Sequence, residues 1–219
     1  MNGQRRAESI ASLDAARLER AVRAACAVAF ADARRARPKE RFCAFGVWAG
    51  PDLELAAVSC TEESMRRAPP ALRWRPSRWP RFEAGAAHFA AAQVLLERAG
   101  ARDGVSPATR ALTLEACVRA LRALDDDGHF GVGAERARVV VSVFTADATP
   151  EELVAVAQGL NPPEAVERLA REVGARPRVL GAGERAYAVD ALVVDAARAA
   201  ALADGAALAW TWPEGREVL

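Results

Sequence analysis

The chain reads as an α+β protein: a mixed or antiparallel sheet that contains a β-hairpin and is covered by several Ala-rich helices. Three observations predict this. Two apolar runs, 42–48 and 53–59, flank Gly50-Pro51-Asp52, the spacing and turn chemistry of a hairpin. A third run, Arg138 to Thr145, is rich in Val and reads as the clearest strand of the chain. Around these runs, apolar residues recur at helical spacing, and Ala, the strongest helix former, makes up about a quarter of the 219 residues. Helices and strands alternate irregularly, which separates this pattern from a doubly wound parallel sheet.

The elements follow in order. Leu18, Val22, Ala25, Cys26, Ala29, Phe30 and Ala33 form the apolar stripe of a helix over 11–37, stopped by Pro38. The hairpin strands come next. Their near-continuous apolarity implies cover on both faces. Thr61 suits the N-cap of a short helix to Ala68, with Glu62 and Glu63 in its first turn, where the helix dipole favours acids. Pro69-Pro70 ends it. A helix is expected from about Phe82 to Ala99, ended by Gly100, and another starts at Ser106-Pro107 and breaks at Asp125-Asp126-Asp127-Gly128. After the Val-rich strand, Pro150 opens a helix to about Gln158, and Asn161-Pro162-Pro163 opens one to about Val173. Further on, short strands are expected at Val179-Leu180, within Tyr187–Val194 and at Ala206–Trp212, with a helix over Asp195–Ala203. The domain organisation is a main domain over 1–175 and an extension over 176–219 packed on it.

Composition bounds the function. Hydrophobic residues make up 52% of the chain but aromatics only 6%, so the core leans on few large side chains. Net charge is +1, with charges intermixed, which offers no field for nucleic acid or a membrane surface. The N-terminal residues are polar and no apolar run is long enough to span a bilayer, so the expectation is a soluble, cytoplasmic protein with reduced thiols. Cysteines 26, 43, 60 and 117 form no CxxC pair, and two histidines make a closed zinc site a poor fit. Cys43 and Cys60 can approach across the hairpin, but a structural disulfide is not expected in a reducing compartment. No cofactor or metal is expected.

Leu72-Arg73-Trp74-Arg75-Pro76-Ser77-Arg78-Trp79-Pro80 is the most unusual stretch. It holds two of the five tryptophans and three arginines. Trp74, Arg75, Arg78 and Trp79 are candidates for a partner-binding surface, because Trp and Arg dominate interface hot spots. The competing reading makes both indoles core anchors with the arginines in solvent. A core this poor in aromatics favours the anchors.

Several features in order resemble an uncharacterised bacterial family, domain of unknown function 4303. They are the first helix, the Phe-Cys-Ala-Phe-Gly-Val strand, Cys60-Thr61-Glu62-Glu63, the Trp-Arg stretch, Leu124-Asp125-Asp126-Asp127-Gly128-His129-Phe130-Gly131, the Val-rich strand and Leu160-Asn161. The resemblance spans about residues 10 to 170. It departs from the family pattern at Cys60, where Asn is usual. It carries no established chemistry; what it implies, through members near toxin systems, is an immunity or accessory protein.

Other motifs are weaker. Glu62 and Glu63 could serve as paired carboxylates in acid–base work, yet adjacent helical residues point about 100° apart, and capping accounts for them. Asp125-Asp126-Asp127-Gly128 lacks the calcium-loop spacing: its Gly is two positions early and Arg136 stands where the twelfth-position Glu belongs. His129 follows that run with no evident partner. Gly181-Ala182-Gly183 lacks the third Gly of a dinucleotide loop. No Gly-x-Ser-x-Gly occurs, and Cys26 and Cys117 sit among apolar helical neighbours. The sequence therefore points to a non-enzymatic binding protein, an immunity or accessory protein recognising another protein such as a toxin. The alternative is a hydrolase-like enzyme with a carboxylate-containing pocket, and a third reading is a self-associating structural domain.

Overall fold

The computed structural model describes residues 13–79, 82–99, 105–146 and 148–176, and within them three strands form one sheet in the order β2-β1-β3. β1 (Phe42–Ala49) and β2 (Leu55–Thr61) pair antiparallel through the expected hairpin, with Gly46 opposite Val58 and Trp48 opposite Ala56. β3 (Val140–Thr145) lies parallel to β1 on its other side, with Phe45 beside Val141 and Val47 beside Val143. The sheet is mixed and the fold is α+β. β2 runs two residues beyond the apolar pattern, so Cys60 and Thr61 belong to the strand. The strands and helix expected after residue 176 lie outside the described residues.

Both faces of β1 are covered, as its apolar run requires. Phe45, Val47 and Ala49 face α1 (Ala15–Ala36), α3 (Ala90–Arg98) and α4 (Pro107–Asp126), which contribute Leu18, Val22, Cys26, Phe30, Leu96, Cys117 and Leu121. Ala44, Val58, Cys60, Val140 and Phe144 face the opposite way. There α2 (Glu62–Arg67), α6 (Pro150–Gln158) and α7 (Pro163–Val173) add Met65, Val154, Val166 and Leu169, and Trp74 and Trp79 close the layer. The two-residue alternation of a strand fails once: a bulge between Phe42 and Ala44 turns Cys43 onto the face of Ala44.

Local chemistry sets the helix ends. Asp14 accepts from the Arg17 amide at 2.9 Å, and Ser106 accepts from Thr109 at 3.1 Å. Thr149 and Glu152 make a reciprocal capping box at the start of α6, and Gly174, at φ 76°, ends α7 in the left-handed conformation. The expected continuous helix over 82–99 is instead two pieces. Phe82–Phe89 winds as a 3-10 segment, and only then does α3 begin. Gly85 explains the break: a Cβ there would lie 1.9 Å from the Ala57 carbonyl oxygen, so the segment owes its close seat on β2 to the missing side chain. Gly131-Val132-Gly133 leads into the single-turn helix α5 (Gly133–Arg136). No helix among the described residues is long and apolar enough to cross a membrane.

Candidate functional site

Two proline-started 3-10 turns, Pro70–Leu72 and Pro76–Arg78, carry the Trp-Arg stretch across the face of the sheet opposite α1. Trp74 is 9% exposed and Trp79 5%. The Trp74 Nε1–H donates to the Glu172 carboxylate at 2.9 Å, and the Trp79 Nε1–H donates to the Arg73 carbonyl at 2.6 Å. The indoles meet edge to face, with centroids 6.3 Å apart, and Trp79 meets Phe144 the same way at 5.2 Å. Burial withdraws both indoles from any contact surface. Arg75 and Arg78 point outward and are exposed.

The acidic run serves a buried arginine. Arg136 is only 6% exposed, a position the sequence did not flag. Its Nε–H meets the Asp125 carboxylate, its Nη1 donates to the Val139 carbonyl at 2.6 Å and its Nη2 donates to the Leu160 carbonyl at 2.7 Å. Every arm of the fork is engaged, which is what burying a guanidinium demands. Asp127 pairs with Arg23 on α1, and Phe130 enters the core. His129 is exposed. Asn161 completes this corner. Its Oδ1 accepts from the Val141 amide at 2.7 Å and from Arg136 at 3.2 Å, while its Nδ2 donates to the carbonyls of Val141 at 2.6 Å and Ala157 at 2.8 Å. One side chain thus satisfies both backbone groups of Val141 that face away from β1.

A concave surface lies where α1, β1, α5 and the entry to β3 meet. A hollow of about 300 Å³ is lined by Phe30, Phe42 and Phe130, with Arg34, Arg41 and Arg138 around them and Glu40 and Glu135 between. Phe30 packs edge to face on Phe42 at 5.8 Å and on Phe130 at 5.3 Å; Phe30 and Phe130 are buried, so the half-buried Phe42 is the ring of this aromatic floor that meets the hollow. The acids there are already paired: Glu135 with Arg34 at 3.7 Å and Glu40 with Arg37 at 3.0 Å. Arg41 and Arg138 have no acidic partner among the described residues. A second hollow of about 270 Å³ shares Glu40 and Arg41 and adds Lys39, Thr61, Glu62, Glu63 and Arg66.

This second hollow places the two acids read from sequence. Thr61 caps α2 by accepting from Ser64 at 3.3 Å, and both Glu62 and Glu63 lie in the first turn. Glu63 is tied to Arg67, one helical turn on. Glu62, His129 and the Trp-Arg stretch are therefore not gathered into one site. Among the described residues, no group of three or more His, Cys, Asp or Glu side chains is placed to hold a metal ion.

Sequence reasoning passed over Arg41 and Arg138. A signal existed, since each stands just before a strand. What sequence did not supply was the pairing of β1 with β3, which sets those two strand entries side by side.

The family model for the domain of unknown function DUF4303 matches residues 22–162. The chain belongs to this family. The DUF4303 match begins within α1 and ends after Asn161, so it takes in all three strands, the aromatic floor and the Arg136–Asn161 corner. Neither the curated proteins nor the solved structures contain a match.

Proposed function

We propose that this chain is a non-enzymatic binding protein that recognises another protein, of the immunity or accessory type, and that it does so through the groove over Phe30, Phe42 and Phe130. One observation carries the reading. Arg41 and Arg138 flank an apolar aromatic floor while the acids beside them are neutralised by other arginines. A guanidinium with no acid of its own is a fork awaiting a carboxylate. The complementary feature on a partner is an apolar side chain for the floor with an acidic one beside it for the wall, an apolar centre with a polar rim. Glu62, Glu63 and Arg66 extend the polar rim along the second hollow.

The test is affinity capture of the partner from source cells with the tagged full-length chain, followed by titration of the identified partner. Arg41→Glu and Arg138→Glu should each weaken the complex by about tenfold or more, as loss of a charge-assisted contact plus repulsion requires. Arg75→Glu and Arg78→Glu should leave it unchanged. Undiminished binding by both folded groove variants would remove the groove from the contact. Loss on the Arg75 and Arg78 variants alone would transfer the contact to the Trp-Arg stretch.

A further inference from the structure

We propose that the occupant of the groove is the C-terminal end of a partner chain, with its free carboxylate on Arg41 and Arg138 and its last side chain, an apolar one, on Phe42. This identification rests on the groove contact proposed as the function and names the segment that fills it. It starts from what the wall offers. Arg41 and Arg138 are exposed, line the hollow and have no acidic partner among the described residues. A guanidinium only donates. The acceptors beside them are already engaged. Glu135 pairs with Arg34, and Glu40 with Arg37. The backbone carbonyls at the two strand entries are engaged as well. That of Arg41 accepts from the Glu62 amide at 2.8 Å. Those of Ala137 and Arg138 accept from Arg168 at 3.0 and 2.6 Å, and that of Val139 accepts from Arg136 at 2.6 Å.

A wall of donors whose neighbouring acceptors are engaged distinguishes the end of a chain from its middle. A segment that passes through brings an N–H with every C=O, and each N–H withdrawn from water there needs an acceptor. A chain that stops there ends in two carboxylate oxygens, which only accept and which fit a guanidinium fork. Size and spacing agree. The hollow is about 300 Å³, at the small end of ligand sites. β1 and β3 pair from Ala44 and Val140 onward, and Phe42 and Arg138 each stand two residues earlier, so the ring and the guanidinium reach one hollow from neighbouring strands. At a C-terminus the carboxylate and the side chain branch from the same Cα, so the anion and the apolar group arrive as one compact unit. Along an extended interior segment, an acidic side chain and its apolar neighbour point to opposite faces. Capture of a terminal carboxylate by oriented donors is a recurring mode of peptide recognition.

The test screens the folded full-length chain against an array of peptides with varied upstream sequence that end in Leu, Val or Phe with a free carboxylate. Bound peptides are then titrated by fluorescence anisotropy as the free acid, as the C-terminal amide and with Ser-Gly appended. The amide and the extended form should bind at least about tenfold more weakly than the free acid, the loss of a charge-assisted contact. Arg41→Gln and Arg138→Gln should each weaken the free acid by about tenfold and barely change the amide, whereas a general disturbance of the fold would lower both. Arg78→Gln should change neither. Equal binding of acid and amide overturns the proposal, as does tighter binding of an end-blocked peptide with an internal Glu beside Leu, or no binding by any free-acid peptide. Displacement by N-acetyl-leucine at the Kd of the peptide itself would assign the site to small free acids and also overturn it. The groove contact is judged separately, on the captured partner. It stands if Arg41→Glu and Arg138→Glu weaken that complex while every free-acid peptide fails, and it falls if both variants keep the partner.

Discussion

Replacing Asn161 by Ala deletes four hydrogen bonds at once: the Val141 amide, the Val141 carbonyl, the Ala157 carbonyl and one Arg136 contact. At about 1 kcal/mol net for each, the sum is about 4 kcal/mol, and partial replacement by water at this half-buried corner brings it to about 3 kcal/mol. For a chain of this size that corresponds to a fall in Tm of about 6–12 °C. Asn161→Asp sharpens the test. It keeps the acceptor for Val141 and adds charge for Arg136, but it sets an oxygen against the carbonyls of Val141 and Ala157, where the amide donated. If the donor side carries the corner, Asp costs about as much as Ala, despite its charge. The assay is urea unfolding followed by circular dichroism, with hydrogen exchange at the Val141 amide as the local readout. A loss below about 1 kcal/mol with Val141 still protected would refute the assignment of Asn161 as the cover of the β3 edge.

Two further outcomes follow from the core. Trp79→Ala should cost about 3–5 kcal/mol and Trp79→Phe about 1–2, the latter losing mainly the bond to the Arg73 carbonyl, whereas Arg75→Ala and Arg78→Ala should stay within about 0.5 in denaturant titration. Burial pushes Cys117 from 9.0 up to about 12, so the native state keeps a proton that the unfolded chain releases. This contribution is complete below about pH 9 and is lost as pH rises towards 12, at up to about 1.4 kcal/mol per pH unit. In reducing buffer the alkaline slope of Cys117→Ala should be shallower by that amount, and an unchanged slope would contradict the burial argument.

Local signals in the chain were enough for most of the elements. The hairpin, the Val-rich strand, the Thr61 cap and the starts at Ser106-Pro107, Pro150 and Pro163 each depend on residues within a few positions, and the structure has them. The misses are tertiary. Nothing near Gly85 says that its backbone must rest on Ala57, so a 3-10 segment was read as helix. Nothing near Arg136 says that Asp125, at the end of α4, and Leu160 and Asn161, after α6, will surround it, since those partners come from distant segments. The groove was illegible for the same reason. Its floor joins positions 30, 42 and 130, which meet only once β3 lies beside β1.

The residues that carry the family likeness turn out to do structural work. Trp74 and Trp79 close one core layer, Asp125 anchors Arg136, and Asn161 covers the open edge of β3. Their polar atoms are spent inside the fold, so a likeness resting on them speaks for the architecture. Where those motifs touch the groove through Phe30, Phe42 and Phe130, they do so with apolar rings packed on one another. In the proposed contact, the polar side of recognition falls to the groove wall. Arg41 stands just before the first strand and Arg138 opens the Val-rich run, and neither has an acidic partner within the described residues. If the proposed contact holds, exchanging Arg41 or Arg138 should change what the groove accepts while its floor stays intact, so that partner choice can change without loss of the scaffold.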